Sequence, residues 1–354
     1  MISRDTKVLD PSSEVAGRMI KYGGLVDRLD IVVFSSSLRQ SIRLSPRLVI
    51  YPANFFSVLS VSSRVLNDSG SNLVTTQDPF WAGLVGVLLR KKSNLRLEMQ
   101  VHTDFLSPYF NGFRNYVYKK MALWILGRAD CVRVVSRRIK NSLEMINLKL
   151  KISMLPIYTP LPKTTNENIR GKYNQYDFII LMVSRLSKEK NIGLAIDAMA
   201  EIVKEFPKTL LLIVGDGPEA GSLKFKVQSS KLEKNVIFAG WKDALGDYYK
   251  SADLYLLTSD FEGWGRTVIE AAYMGVPVVM SHVGLAGEVI EHGKSGFLFK
   301  PRGVKALVEI LRKVISGEVS TPASAEEARK RVSSYLDEEA YLRKLKKIWE
   351  LCGF

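Results

Sequence analysis

Leu254–Met280 reads LYLLTSDFEGWGRTVIEAAYMGVPVVM. Leu254–Thr258 is a short apolar run, the segment after Gly265 takes an alanine- and glutamate-containing pattern that stops at Gly275, and Val276–Met280 is apolar again. That order predicts strand, loop, helix, strand. Gly263 and Gly265 remove Cβ atoms where backbone has to come close to a ligand. They lead into a helix beginning near Arg266-Thr267, whose free N–H groups and positive dipole end favour an anion. Glu262 and Glu270 stand on either side of the helix start, with Trp264 between the glycines. Carboxylates repel phosphate, so neutral hydroxyl groups are their expected partners. A molecule with phosphate at its centre and hydroxyls on both sides is a nucleotide sugar.

The rest of the second half repeats the rhythm. Phe178–Ser184, Leu210–Gly215, Val236–Ala239 and Phe297–Phe299 read as further strands alternating with helical segments, which predicts a doubly wound parallel sheet. Arg185 and Lys190 lie just past the first of these strands, in SRLSKEKN, where two fixed cations can hold a diphosphate. Gly215-Asp216-Gly217 ends the next strand, and the Gly-x-Gly-x-x-Gly fingerprint of dinucleotide oxidoreductases does not follow it.

The first half predicts a second such sheet from Ile31–Phe34, Leu48–Tyr51, Leu73–Thr76, Leu97–Val101 and Val132–Val135. Ligands in these sheets sit at the carboxyl ends of strands, where His102-Thr103-Asp104 is found. A histidine there can donate or accept near neutral pH. Between the halves, Pro156, Pro160 and Pro162 and the polar stretch after them mark a linker.

The chain has 354 residues, more than one core usually serves, so two domains are expected. Its net charge of +15 is uneven: Lys plus Arg against Asp plus Glu is 24 to 11 for residues 1–165 and 27 to 25 for 166–354. The basic first half suits an anionic membrane, a phosphorylated acceptor or nucleic acid. Within it, Tyr116–Gly127 combines aromatic residues with Lys119 and Lys120 in the manner of an interfacial helix. No apolar run approaches the roughly 20 residues that cross a bilayer, and MISRDTKVLD lacks a signal region, so a cytoplasmic protein is expected, peripheral on the membrane where its basic face meets lipid. Cys131 and Cys352 fall in different predicted domains without metal-type spacing and read as reduced packing residues.

Glu262-x7-Glu270, inside SDFEGWGRTVIEAAYMGVPVV, resembles the Glu-x7-Glu motif of the retaining glycosyltransferases of family 4, which have the GT-B fold. The resemblance is strong from Phe178 to Phe299. It is looser from Leu73 to Met145, where LVTTQDPFWAG and RADCVRVVSRRI are similar to N-domain stretches of the family. It implies an α/β protein of two Rossmann-like doubly wound parallel-sheet domains facing each other across a cleft. Residues 1–162 would bind the acceptor, 163–336 the nucleotide-sugar donor, and the helix in 337–354 would pack back on the first domain. In the catalytic set, Glu262 would touch the transferred sugar, Arg185 and Lys190 the diphosphate, and His102 the donor sugar. In the donor-binding set, Glu270 would hold the ribose. Gly263, Trp264, Gly265, Arg266 and Thr267 would form the loop and helix start, Gly215, Asp216 and Gly217 the neighbouring turn, and Gly240 and Trp241 the border of the base pocket. By position, Gln77, Asp78 and Ser136 would line the cleft. His282–Glu288 is similar to the family's glycine-rich segment followed by a glutamate.

One departure stands out. Family members begin with a full strand and a glycine-rich loop, whereas this chain starts inside or after that strand and has Ser12–Arg18, with the single Gly17, in the expected place. The resemblance implies a hydroxyl acceptor on a glycan or lipid-linked glycan, no cofactor beyond the nucleotide diphosphate sugar as substrate, and no metal. Asp260-Phe261-Glu262 faintly suggests paired acids for a divalent ion, but no Asp-x-Asp occurs. Two rivals are a GT-B nucleotide-sugar epimerase and a non-catalytic binder of anionic surfaces. Arg185, Lys190, Glu262 and Glu270 together argue against the latter, and against nucleic acid as a partner.

Overall fold

The structure, a computed structural model, describes residues 1–36, 40–92, 95–146 and 149–353. They form two compact units: Met1–Pro156 with the terminal helix Glu338–Gly353, and Ile157–Asp337. The linker prolines Pro160 and Pro162 fall with the second unit.

The first unit is built on eight strands: β1 Ile2–Ser3, β2 Leu29–Phe34, β3 Ile42–Ser45, β4 Leu48–Ala53, β5 Leu73–Thr76, β6 Arg96–Val101, β7 Cys131–Val134 and β8 Ile152–Met154. Their order is β3-β4-β2-β1-β5-β6-β7-β8, parallel throughout except where β3 runs against β4. Two residues of β1 suffice to join β2 to β5, so the strand expected to be largely missing occupies the middle of the sheet. Ser12–Arg18 is no glycine loop: Ser13 caps the helix Glu14–Gly23 by accepting from the Ala16 N–H at 3.0 Å, and Gly17 lies inside the helix. β1, β3 and β8 escape a sequence reading because they are short or, for β3, at an edge.

The second unit has a six-stranded, fully parallel sheet: β9 Phe178–Val183, β10 Thr209–Val214, β11 Val236–Gly240, β12 Leu254–Leu257, β13 Val278–Ser281 and β14 Phe297–Phe299. The order is β11-β10-β9-β12-β13-β14. Strands buried on both faces read as unbroken apolar runs, and FIILMV and TLLLIV are of that kind. Leu210, Leu211, Leu212 and Ile213 expose none of their surface, each stabilising by roughly 1.5–3 kcal/mol relative to a solvated side chain. The chain moves outward from β9 to β11 and then returns to the other side of β9 at β12. The carboxyl ends of β9 and β12 are therefore the switch point, where such sheets hold ligands.

The cysteine expectation is overturned. The terminal helix lies against β5 and β6 of the first sheet, with Leu345, Ile348 and Trp349 buried in that unit's core. It brings Cys352 beside Cys131 of β7, and the two form a disulfide with Cα atoms 6.0 Å apart. Reading the two residues as reduced and in different domains missed their pairing across 221 positions.

Candidate functional site

The switch point of the second sheet gathers the charged residues. After β9 the chain makes a short turn, Lys188–Lys190, and Asn191 takes a left-handed conformation (φ 45°) before the helix Ile192–Glu205. Two bonds dock this turn on the end of β12: Thr258 Oγ1 donates to the Lys190 carbonyl at 2.9 Å, and the Asp260 N–H to the Glu189 carbonyl at 2.8 Å. The docking places Lys190 Nζ on Glu262 Oε1, which also accepts from Ser259 Oγ at 2.9 Å. Both members of the pair are mostly shielded, with side-chain exposures of 21% and 14%.

Glu270 is held from below. It is nearly buried on the helix Arg266–Tyr273, and Oε2 accepts from the Tyr249 hydroxyl at 2.9 Å. Burial, and then the adjoining Glu270 carboxylate, push the Tyr249 hydroxyl well above its ordinary pKa, so it stays a donor. Tyr255 on β12 donates to Thr267 Oγ1 at 2.6 Å. Burial raises its pKa first; the bond to Thr267 works against this, and the fields of Glu270 and Glu262 add to it. Both Glu262 and Glu270 therefore act on one tyrosine hydroxyl through their fields.

The glycines do separate jobs. Gly265 precedes the helix with φ 116°, a conformation that L side chains resist, and so turns the loop into the helix start. At Gly215 (φ 135°) a Cβ would overlap the Ser184 carbonyl, and at Gly217 it would meet the Leu186 backbone. That Gly-x-Gly is needed for close packing of the β10 turn on the β9 turn. Asp216 Oδ1 accepts from the Gly217 N–H at 2.7 Å. Gly240 ends β11 at φ 71°, its carbonyl accepting from the Gly215 N–H at 2.8 Å, and Trp241 beyond it is largely exposed.

Not every expected residue joins the cluster. Arg185 leans on Glu189 (Nη2 to Oε1, 2.7 Å) and is 68% exposed. Partial burial opposes ionisation of Glu189, but bonds from Ser187 and Arg185 hold its pKa below the usual value. Trp264 is buried, packing edge-on against Tyr335 with ring centres 5.1 Å apart, and its indole N–H has no partner among the described residues. Arg266 Nε likewise is buried and unpartnered among them. Asp260 accepts from Arg302 Nε and Nη2 (2.9 and 2.6 Å) and from Asn191 Nδ2 at 3.0 Å. Among the described residues no three His, Cys, Asp or Glu side chains gather as a metal site would require. Tyr249, Tyr255 and Glu189 were missed by the sequence reading, because a buried tyrosine on a strand or helix looks like core.

In the first unit His102 follows β6 and is half-buried. Its Nε2 lies 2.9 Å from Gln100 Oε1. Desolvation, then Arg133 and Arg18, lower its pKa to about 3, so the ring is neutral. Gln77 accepts from Ser3 Oγ at 2.5 Å, while Asp78 and Ser136 cap the segments after them, Asp78 through the Phe80 N–H and Ser136 through the Ile139 N–H.

Two doubly wound parallel sheets, the second with a lysine–glutamate pair and a glycine-led helix start at its switch point, define a protein of the GT-B class. The likeness in fold is broad: sucrose-phosphate synthase from Thermosynechococcus elongatus superposes with a TM-score of 0.82 over 99% of this chain and 98% of that one, at 21% identity. Anabaena Alr3699/HepE in complex with UDP-glucose gives 0.79 over 99% of each chain, also at 21% identity. Residues 165–336 match the model of glycosyl transferases group 1. Alpha-monoglucosyldiacylglycerol synthase of Acholeplasma laidlawii is 28% identical over 265 residues, 68% of this chain and 66% of that protein. N-acetyl-alpha-D-glucosaminyl L-malate synthase of Bacillus anthracis is 38% identical over 120 residues, 34% of this chain and 31% of that protein. The matched stretches thus span from about a third to just under two thirds of these curated relatives.

Proposed function

We propose that this protein transfers a sugar from a nucleotide diphosphate sugar to a hydroxyl of a glycan or lipid-linked acceptor, with retention of anomeric configuration and without a metal ion. The observation that carries the reading is the Lys190–Glu262 pair beside the Gly265-led helix start, with Glu270 behind it on Tyr249. A diphosphate seated at that helix start gains its N–H groups and the Lys190 ammonium, which exchanges Glu262 for phosphate oxygen. Glu262, released, accepts from a hydroxyl of the transferred sugar, and Glu270 from the ribose. Arg185 leaves the surface bond to Glu189 for the same diphosphate.

As the bond from the anomeric carbon to phosphate oxygen breaks, negative charge grows on the diphosphate, and the cations and helix end stabilise it where it forms. The acceptor oxygen attacks from the face the diphosphate leaves, its proton passing to a departing phosphate oxygen. The new glycosidic bond keeps the original configuration, and no protein base is consumed.

The membrane is the expected source of acceptor. On the helix Phe113–Leu126, Phe113, Tyr116, Val117 and Trp124 are exposed, Lys120 lies over the Tyr116 ring and Arg128 over the Trp124 ring. Aromatic rings beside cations suit an anionic bilayer surface. No helix of the described residues is long and apolar enough to cross a membrane.

The deciding experiment is a thermal-shift screen of nucleotide sugars followed by transfer with the best donor and anomeric analysis of the product. A preferred donor raises the melting temperature by mass action. EDTA leaves the rate unchanged. An inverted product, or activity lost to EDTA and restored by Mg²⁺, overturns the corresponding part of the reading.

A further inference from the structure

Beneath His102 lies a buried polar chain that the transfer reaction does not itself require. Glu98, Gln100 and His102 follow one another at alternate positions on and just past β6, so they share one face of the sheet. Glu98 is fully buried and accepts three bonds: from Arg133 Nε at 2.7 Å, from the indole N–H of Trp349 on the terminal helix at 3.1 Å, and from Thr75 Oγ1. Thr75 stands opposite Glu98 on β5. Gln100 Nε2 donates to Thr75 Oγ1 at 2.8 Å, and Gln100 Oε1 faces His102 Nε2 at 2.9 Å.

Counting protons along this chain leaves one arrangement. Arg133 and Trp349 can only donate, and a carboxylate paired with a guanidinium can only accept. Thr75 has one hydroxyl proton, and Glu98 takes it. The Thr75 oxygen therefore has to accept from Gln100, which fixes the Gln100 amide with its NH₂ toward Thr75 and its carbonyl toward His102. A carbonyl cannot donate, so His102 carries its proton on Nε2. Its Nδ1 has no partner among the described residues.

We propose that Glu98 is a positioning residue, which through Thr75 and Gln100 holds His102 in the Nε2–H tautomer and presents Nδ1 as a hydrogen-bond acceptor for a substrate hydroxyl. The final clause rests on the reading of His102 as a sugar-facing residue; the relay itself does not. Without the relay a neutral imidazole would exchange tautomers, and Nδ1 would offer its lone pair only part of the time. The terminal helix, through Trp349, supplies one of the donors that keep the carboxylate in place.

The test is the imidazole ¹⁵N spectrum of the uniformly labelled full chain. There are three histidines, and His102→Asn identifies the resonances of this one. The expected wild-type pattern has a protonated Nε2 and an unprotonated Nδ1. Thr75→Val keeps shape and the Glu98–Arg133 pair but removes the hydroxyl, and it should convert the single tautomer to a mixture that Thr75→Ser restores. Gln100→Met is the second variant should Thr75→Val fail to fold. The same substitution should lower kcat/KM for the donor found by thermal shift by about tenfold, the scale of one hydrogen bond. A wild-type ring protonated on Nδ1, or an unchanged tautomer in Thr75→Val and Gln100→Met, overturns the relay whatever the activity. A redistributed tautomer with unchanged kcat/KM leaves the relay standing and removes His102 from the substrate.

Discussion

Lys190–Glu262 and Arg133–Glu98 are both cation–carboxylate pairs, yet they sit in opposite circumstances. The first joins two strand-end turns and keeps part of each side chain in solvent. The second lies on the sheet face with exposures of 4% and 0%, and its carboxylate has three donors. A pair at strand ends can trade partners with a ligand at little cost, since water and phosphate compete on similar terms. A pair inside the sheet cannot, because each charge has left water and depends on the other. The same chemistry therefore leaves one pair open to exchange and locks the other into the architecture of its sheet.

The contrast breaks first at Arg133. Arg133→Met leaves Glu98 charged in an apolar setting and should cost about 3–5 kcal/mol in urea unfolding, with much of it recovered in the double variant with Glu98→Leu. A loss below 1 kcal/mol would place this pair with the exchangeable kind. Lys190→Ala should do the reverse. Turnover falls by roughly 10²–10³-fold, as on removing one donor to developing charge, while the melting temperature moves little. Tyr249→Phe sharpens the comparison within the second unit: on the proposed role of Glu270 at the ribose, loss of its tyrosine donor should raise the donor KM about tenfold. The last effect is in pH dependence. Because desolvation, Arg133 and Arg18 lower the His102 pKa to about 3 in the folded state, the unfolded chain binds the extra proton from about pH 6.5 downward. The His102 contribution is complete above that pH and is lost as pH falls toward 3. It contributes a slope of at most about 1.4 kcal/mol per pH unit, which His102→Asn should remove.

The sequence shows the second unit well and the first less so, for physical reasons. Strands covered on both faces, such as Phe178–Val183 and Thr209–Val214, announce themselves as apolar runs, and a glycine-led turn follows the second. β1 has two residues and β8 three, too few for any period to emerge. The loop–helix around Gly265 was legible from its glycines and acids. What those residues touch was not: Trp264 turned inward to Tyr335, Arg185 turned to Glu189, and the tyrosines beneath the acids looked like ordinary core. The polar alternation of Glu98, Gln100 and His102 was the available signal for the buried chain, three hydrogen-bonding side chains alternating with the apolar Leu97, Met99 and Val101.

The disulfide has a consequence for the covalent shape of the molecule. Cys131 and Cys352 close a ring of backbone and sulfur that contains every residue from Ile157 to Asp337. One cut by a protease anywhere inside that ring opens it without releasing a fragment. Nicked protein should run as a single species on a non-reducing gel and separate in two only when a thiol is added.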